Sequence, residues 1–423
     1  MAGFDGAGVA EWRRYWKVPV AAALGYSIGV IHVYSLGAFM EPLQAEFGWT
    51  RAEASLGLTI VGMAAAIAAL PIGLMVDRLG PRRVGIIGAL LMGAAFALFS
   101  TATGSLLNWI LLWGVLSFAS FWVQTTVWTS AVASRFETSR GLAFAVTLSG
   151  GSLAAAVFPP LATALIGAYD WRGAFLALGV LWGVLVLIVV ALFFRGAQDD
   201  ARTTAELPQA AAVLPGVSLR DGLRSVTFFQ LLTAAGLFAF TTLGVVVHLV
   251  PILRGAGAEP LAAAGTASLV GIFSIVGRLG VGVLLDRFPG RVVGACAYLV
   301  PIAGAALLLF DGTNPLSQTV AAALFGLTLG AEVDVIAYLA SRYFGLKNFG
   351  GLFGGLVAAL SLGTAFGPLA SGATFDRFGG YEPFLVLTMI LMALSSLALA
   401  CLKSPPDWNA EKADAESATP ATG

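Results

Sequence analysis

Long apolar runs separated by short polar links dominate the chain from residue 18 to residue 402. A helix that crosses a bilayer needs about 20 mostly apolar residues. Runs near 18–40, 52–76, 84–103, 106–131, 140–166, 171–194, 226–253, 261–285, 292–310, 315–340, 350–374 and 381–402 meet that length. Twelve transmembrane helices are therefore predicted. The runs are continuous and lack the alternation of membrane β-strands, so the expected fold class is an all-α membrane protein. One sizeable polar stretch interrupts the series, at 195–225, with Asp199, Asp200, Pro208 and Pro215. It reads as a linker between two six-helix bundles, 18–194 and 226–402. A polar segment, 1–17, precedes the bundles, and a polar tail, 403–423, follows them.

Composition agrees with the runs. Hydrophobic residues make up 58% of the chain and charged ones 11%, against roughly 25% charged in a soluble domain. Most of the surface must therefore face lipid. The net charge of zero gives no nucleic-acid footprint. Cys296 and Cys401 both lie in apolar stretches and imply neither a disulfide framework nor a metal site. No cofactor is implied. The first apolar run is long enough to span, so it reads as a retained helix rather than a cleaved signal. No HExxH or nucleotide-binding loop is present, so an enzyme is not expected.

Charge sets the orientation. With the N-terminus inside, four of the 23 basic residues fall outside (Arg51, Arg172, Arg254 and Arg377) and Arg278 falls within a span. All the others fall inside. This bias predicts that both termini are cytoplasmic. The two bundles also repeat. Asp77-Arg78, Arg82, Pro159 and Phe175 recur as Asp286-Arg287, Arg291, Pro368 and Phe384 at one constant offset. Both copies start on the same side, which makes them parallel repeats flanking a central cavity.

Gly73-x-x-x-Asp77-Arg78-x-Gly80-x-Arg82-Arg83, between spans 2 and 3, resembles the signature loop of the major facilitator superfamily. Gly282-x-x-x-Asp286-Arg287 is its weaker second copy. A finer resemblance is to the monocarboxylate transporter and oxalate–formate exchanger branch. It rests on Phe47-Gly48-Trp49, Gly277-Arg278, Ser341-Arg342-Tyr343-Phe344-Gly345, Phe349-Gly350 and Gly367-Pro368. Monocarboxylate transporters usually carry an Asp four residues before the span 8 Arg; here that residue is Ser274, so the usual Asp–Arg pair is not carried over. The resemblance implies a transporter, monomeric and working by alternating access. It also implies a cytoplasmic gate, in which Asp77 faces the start of span 11 near Phe349 and Asp286 faces the start of span 5 near Arg140. Arg78, Arg82 and Arg287 belong to the same gate.

Charges inside the spans mark the candidate site. Arg278 lies eight residues before Asp286, and Asp334 lies eight before Arg342. Each is therefore roughly 12 Å from the inner end of its helix, and Glu332 is about 15 Å from it. An intramembrane charge costs at least about 2.5–3.5 kcal/mol and should face a cavity or a partner. Glu332 and Asp334 point about 200° apart, so only one can line a given wall. Asp334 and Tyr338 share a face, and this pair is favoured for the cavity side. Arg278 is the anion-binding candidate, and Asp334 and Glu332 are the proton-coupling candidates. His248 could also relay protons. Span 1 lines the cavity in the resembled fold, so His32 and Tyr34 are candidate substrate contacts. Gln124 and Trp128, four residues apart in span 4, are further ones.

Proton-coupled symport of a monocarboxylate or related organic anion is the leading expectation. A drug–proton antiporter is the second, although Phe158-Pro159-Pro160 replaces the Gly-Pro-x-x-Gly-Gly usual in span 5 of such exporters. A proton-independent anion exchanger is the third. The alanine-rich composition and the lack of an Asn-x-Ser/Thr site point to a bacterial inner membrane.

Overall fold

The computed structural model describes residues 6–136, 138–196, 199, 216–345 and 348–406. Within these, the side chains of residues 6–7, 66–75, 77, 78, 140, 286 and 350 are not described. The described residues form helices and no strand. In chain order the helices are α1 (Gly6–Tyr15), α2 (Lys17–Gly29), α3 (Ile31–Phe47), α4 (Arg51–Leu79), α5 (Pro81–Ala97), α6 (Leu106–Phe121), α7 (Thr125–Ala133) and α8 (Arg140–Phe193). The second half supplies α9 (Leu219–Arg224), α10 (Val226–Val247), α11 (Leu249–Gly255), α12 (Pro260–Arg287), α13 (Gly290–Phe310), α14 (Pro315–Phe344), α15 (Phe349–Phe378) and α16 (Glu382–Ala400).

Among the described residues, ten helical stretches are long and apolar enough to cross a membrane. The longest, Gly141–Phe193, is broken at Asp170, where φ is 64° and ψ is 178°. A side chain rarely tolerates that backbone. Asp170 holds it by accepting, at Oδ1, the Gly173 N–H at 2.9 Å, which caps the segment that follows. Three other paired helices meet at short breaks: α2 and α3 at Val30, α6 and α7 at Trp122–Gln124, and α10 and α11 at His248. On α6, Leu107, Leu111, Val115 and Phe118 share one exposed face at helical spacing. Such an apolar outer face suits lipid, not water.

Each half has its own core. In the first, Phe39 stacks on Phe175 with ring centroids 3.7 Å apart, and Phe99 meets Trp109 and Trp113 edge-on. In the second, Phe238 packs against Tyr298 at 4.4 Å. Stretch 201–215 of the predicted linker lies outside the described residues, as do residues 407–423 of the tail. The end of the linker is helical. The Ser218 hydroxyl accepts the Asp221 N–H and starts α9, while the Val217 N–H bonds Phe344 O at 3.0 Å. Gly222 then lets α9 lie against Leu352 of α15.

The halves are joined by polar contacts at the side away from the termini, here called the far side. The Thr50–Glu53 capping box starts α4 there. Asp376, near the end of α15, reaches across and accepts the next two N–H groups, Arg51 N at 2.9 Å and Ala52 N at 2.8 Å. A carboxylate on a helix N-terminus is favoured by both hydrogen bonding and the helix dipole. Thr59 Oγ1 donates to Ala365 O at 2.6 Å, and Arg254 pairs with Glu41 at 3.2 Å. Glycines allow the backbones to meet. A Cβ on Gly271 of α12 would collide with the backbone of Ser152 and Ala156 in α8, where the Ser274 and Ser152 hydroxyls bond at 2.6 Å.

Candidate functional site

Between the halves lies a cavity of about 550 Å³. It begins below the Thr59–Ala365 bond and runs toward the termini side past Thr129 of α7 and Phe353 of α15. Helices of both halves wall it.

The C-terminal wall carries charge. Arg278 on α12 lines the cavity, and its Nη1 sits 3.2 Å from each Asp334 carboxylate oxygen on α14. One nitrogen thus serves both oxygens at the long end of hydrogen-bond range. Arg278 Nε is buried without a partner. The two-nitrogen edge of the guanidinium, which suits a bidentate carboxylate, is therefore not taken up by Asp334. Glu332 also lines the cavity, is only 7% exposed and, among the described residues, accepts no hydrogen bond. This placement corrects the expected face of α14. Glu332 lies on the wall, whereas Asp334 and Tyr338 are absent from it, with Tyr338 packed beside Gly290. The rotation of α14 follows from Gly330 and Gly326, which seat it against the backbone of α12 at Ser274 and Val270.

The N-terminal wall carries uncharged polar groups. His32 lines the cavity edge-on to Trp113. Tyr34 is half-buried and within electrostatic reach of Glu332 and Arg278. Gln124 faces the cavity at the α6–α7 break. Trp128 does not. It is fully buried, its indole N–H bonds Val123 O at 2.9 Å, and its ring fills the space over Gly25 and Gly85. Trp128→Phe should lower stability by about 1 kcal/mol and leave substrate affinity unchanged, as thermal unfolding and a binding titration would show.

His248 is likewise displaced from its expected role. It is fully buried at the far side and absent from the cavity wall. Its Nε2 lies 2.9 Å from Pro368 O and its Nδ1 2.8 Å from Tyr381 Oη. A carbonyl only accepts, so Nε2 donates; with a neutral ring, Nδ1 then accepts the Tyr381 hydroxyl. Tyr381 in turn accepts from Arg51 Nη1, and the Arg51 guanidinium lies 3.6 Å from the Phe375 ring centroid. Arg51, Tyr381 and His248 thus tie α4 to the second half.

The sequence reading passed over Asp376 in this seal. A signal was present: Asp376-Arg377-Phe378-Gly379 has the pattern of Asp77-Arg78-Leu79-Gly80. At the termini side, the side chains of Asp77, Arg78, Arg140 and Asp286 lie outside the described residues. Arg82 stays within its own half, donating from Nη2 to Ala191 O at 2.6 Å at the end of α8. Arg287 is exposed at the end of α12.

The chain matches a family model described as Major Facilitator Superfamily over residues 22–346. Monocarboxylate transporter 13 of Bos taurus is 32% identical over 390 residues, covering 90% of this chain and 86% of that protein. The Rattus norvegicus protein of the same name is 31% identical over 390 residues, covering 91% and 88%. Among solved structures, that of the nucleoside transporter NupG aligns with a TM-score of 0.70 at 13% identity, covering 91% of this chain and 97% of that one. That likeness is one of fold.

Proposed function

The chain belongs to the major facilitator superfamily, and we propose that it carries a monocarboxylate or related small organic anion across a membrane by alternating access, coupled to protons. It is an integral, multi-pass membrane transporter, not an enzyme. Twelve crossings follow if Asp170 divides α8 into two and α4 crosses as well. The basic-residue bias supports cytoplasmic termini. With that orientation the conformation described here is inward-facing, sealed at Arg51, Tyr381 and Asp376. One chain supplies both cavity walls, which supports a monomeric unit. The bacterial inner membrane remains part of this reading, on the composition given above.

The observation that carries the anion reading is the Arg278 guanidinium, which lines the cavity and meets Asp334 through Nη1 alone. Charge balance then supports coupling. Arg278 faces two carboxylates, Asp334 and Glu332, so with all three ionised this wall is net negative and repels an anion. Protonating Glu332 brings the wall to neutrality, and the guanidinium edge can then accept a carboxylate. Proton and substrate would therefore load together and leave together.

The test is uptake of labelled monocarboxylates into liposomes with and without an inward proton gradient. Gradient-driven accumulation is expected in the native protein. Glu332→Gln should still equilibrate the acid but lose accumulation above equilibrium. Normal accumulation by folded Glu332→Gln would refute the coupling scheme. If all acids are ignored and a cationic amphiphile moves instead, the net-negative wall belongs to an exporter.

A further inference from the structure

The break between α6 and α7 leaves hydrogen-bond donors without partners on the cavity wall. Gln124 occupies the N-cap of the nine-residue α7, with φ −58° and ψ 152°, yet its side chain makes no capping bond. The Val127 N–H turns back to Gln124 O at 2.9 Å. Among the described residues, the N–H groups of Gln124, Thr125 and Thr126 meet no acceptor, and neither do the two threonine hydroxyls. All three residues line the cavity.

A second observation converges on this place. His32 is 5% exposed and lines the same cavity; among the described residues neither ring nitrogen has a hydrogen bond, and Nδ1 is fully buried. It stands one turn along from Gly29, which packs against the Val123 carbonyl at the break itself. A buried polar group left unpaired is destabilising and marks a place where a partner belongs. The start of α7 also carries the partial positive charge of a helix N-terminus. Donors therefore converge on the N-terminal wall, while the guanidinium stands on the C-terminal wall.

From this two-walled arrangement we infer that the α6–α7 break is a second oxyanion site and that the substrate is a bifunctional acid. One carboxylate meets Arg278; a second carboxylate or similar oxyanion meets the N–H groups of Gln124–Thr126, assisted by His32. This inference rests on the organic-anion reading above and narrows its substrate class. A monocarboxylate has no second oxyanion to meet these N–H groups. The second site adds no fixed charge, so water satisfies it when the cavity is empty.

Backbone N–H groups can be removed at this site. Thr125 is the first residue of α7, where proline is tolerated, and Gln124 already has the extended backbone that precedes proline. Thr125→Pro and Thr125→Ala both lose the hydroxyl, but only the proline variant loses the N–H. Binding of butanoate and of butanedioate to purified protein would be measured by calorimetry. The native protein should bind butanedioate at least tenfold more tightly. Thr125→Pro should bind it about tenfold more weakly than Thr125→Ala does, with butanoate equal in the two. Gln124→Asp gives a second route that does not strain the fold. An N-cap aspartate satisfies the orphan N–H groups from within, so thermal stability should rise while the preference for butanedioate disappears. Equal binding of the two acids, with no difference between the proline and alanine variants, overturns the second site and leaves the anion reading standing. Binding of neither acid overturns both.

Discussion

Arg278→Ala is expected to reduce uptake of the substrate acid by at least about a hundredfold. Two losses combine. The substrate loses its charge-assisted partner, and such a bond is worth about 1.5–3 kcal/mol, or roughly ten- to a hundredfold. Glu332 on the wall and Asp334 beside it are also left with no cation, which repels any anion. Removing one member of a buried pair further costs about 3–5 kcal/mol when the partner stays charged. Asp334 is partly exposed, so the loss of stability should fall below that range. Pairing the change with Asp334→Asn separates the two effects. The double variant should recover folding, read by thermal unfolding, but not uptake. Normal uptake by a folded Arg278→Ala protein would remove Arg278 from the site.

Much of this was legible in the chain. The apolar runs located the helices, because lipid imposes a length that few other environments require. Arg278, Glu332 and Asp334 stood out because each is costly at that depth. The choice between the two acids was not legible. Their spacing fixes an angle between them but not the rotation of α14, and that rotation comes from the seating of Gly326 and Gly330 on α12. The pairing of Gln124 with Trp128 failed for a different reason. Four-residue spacing puts side chains on one face only along continuous helix, and Gln124 has extended backbone. The break itself has no Gly or Pro to announce it. His248 looked like a proton relay because its burial and its two partners depend on residues more than a hundred positions away.

Gly271→Leu should have the second large effect, with no contact to any substrate. The site is a contact between backbones of opposite halves, Gly271 on α12 and Ser152–Ala156 on α8. Overpacking costs about 1–3 kcal/mol where a core can adjust, and two helix backbones adjust less than side chains do. A penalty of about 3 kcal/mol, falling only on the conformation sealed at the far side, changes a two-state ratio by roughly 150-fold. Transport should then fall at least tenfold while each half keeps its own core. Spin labels on Tyr169→Cys and Leu316→Cys, one in each half, would show the far side separated. Both native cysteines would be replaced in this protein. An unchanged distance with a normal transport rate would show that α12 and α8 need not meet so closely.

The seal on the far side has one more property, which concerns inheritance. Several of its bonds join a side chain to main chain: Asp376 to the N–H groups of Arg51 and Ala52, Thr59 to Ala365 O, and His248 to Pro368 O. Each bond therefore has one end that a codon change can erase and one that persists through almost any substitution. Drift at Ala52 leaves the Asp376 bonds intact, whereas Arg51 is also held by its own side-chain bond to Tyr381. Drift at Asp376 removes the acceptor of both N–H groups at once, and with it a bond between the halves that no change within α4 restores.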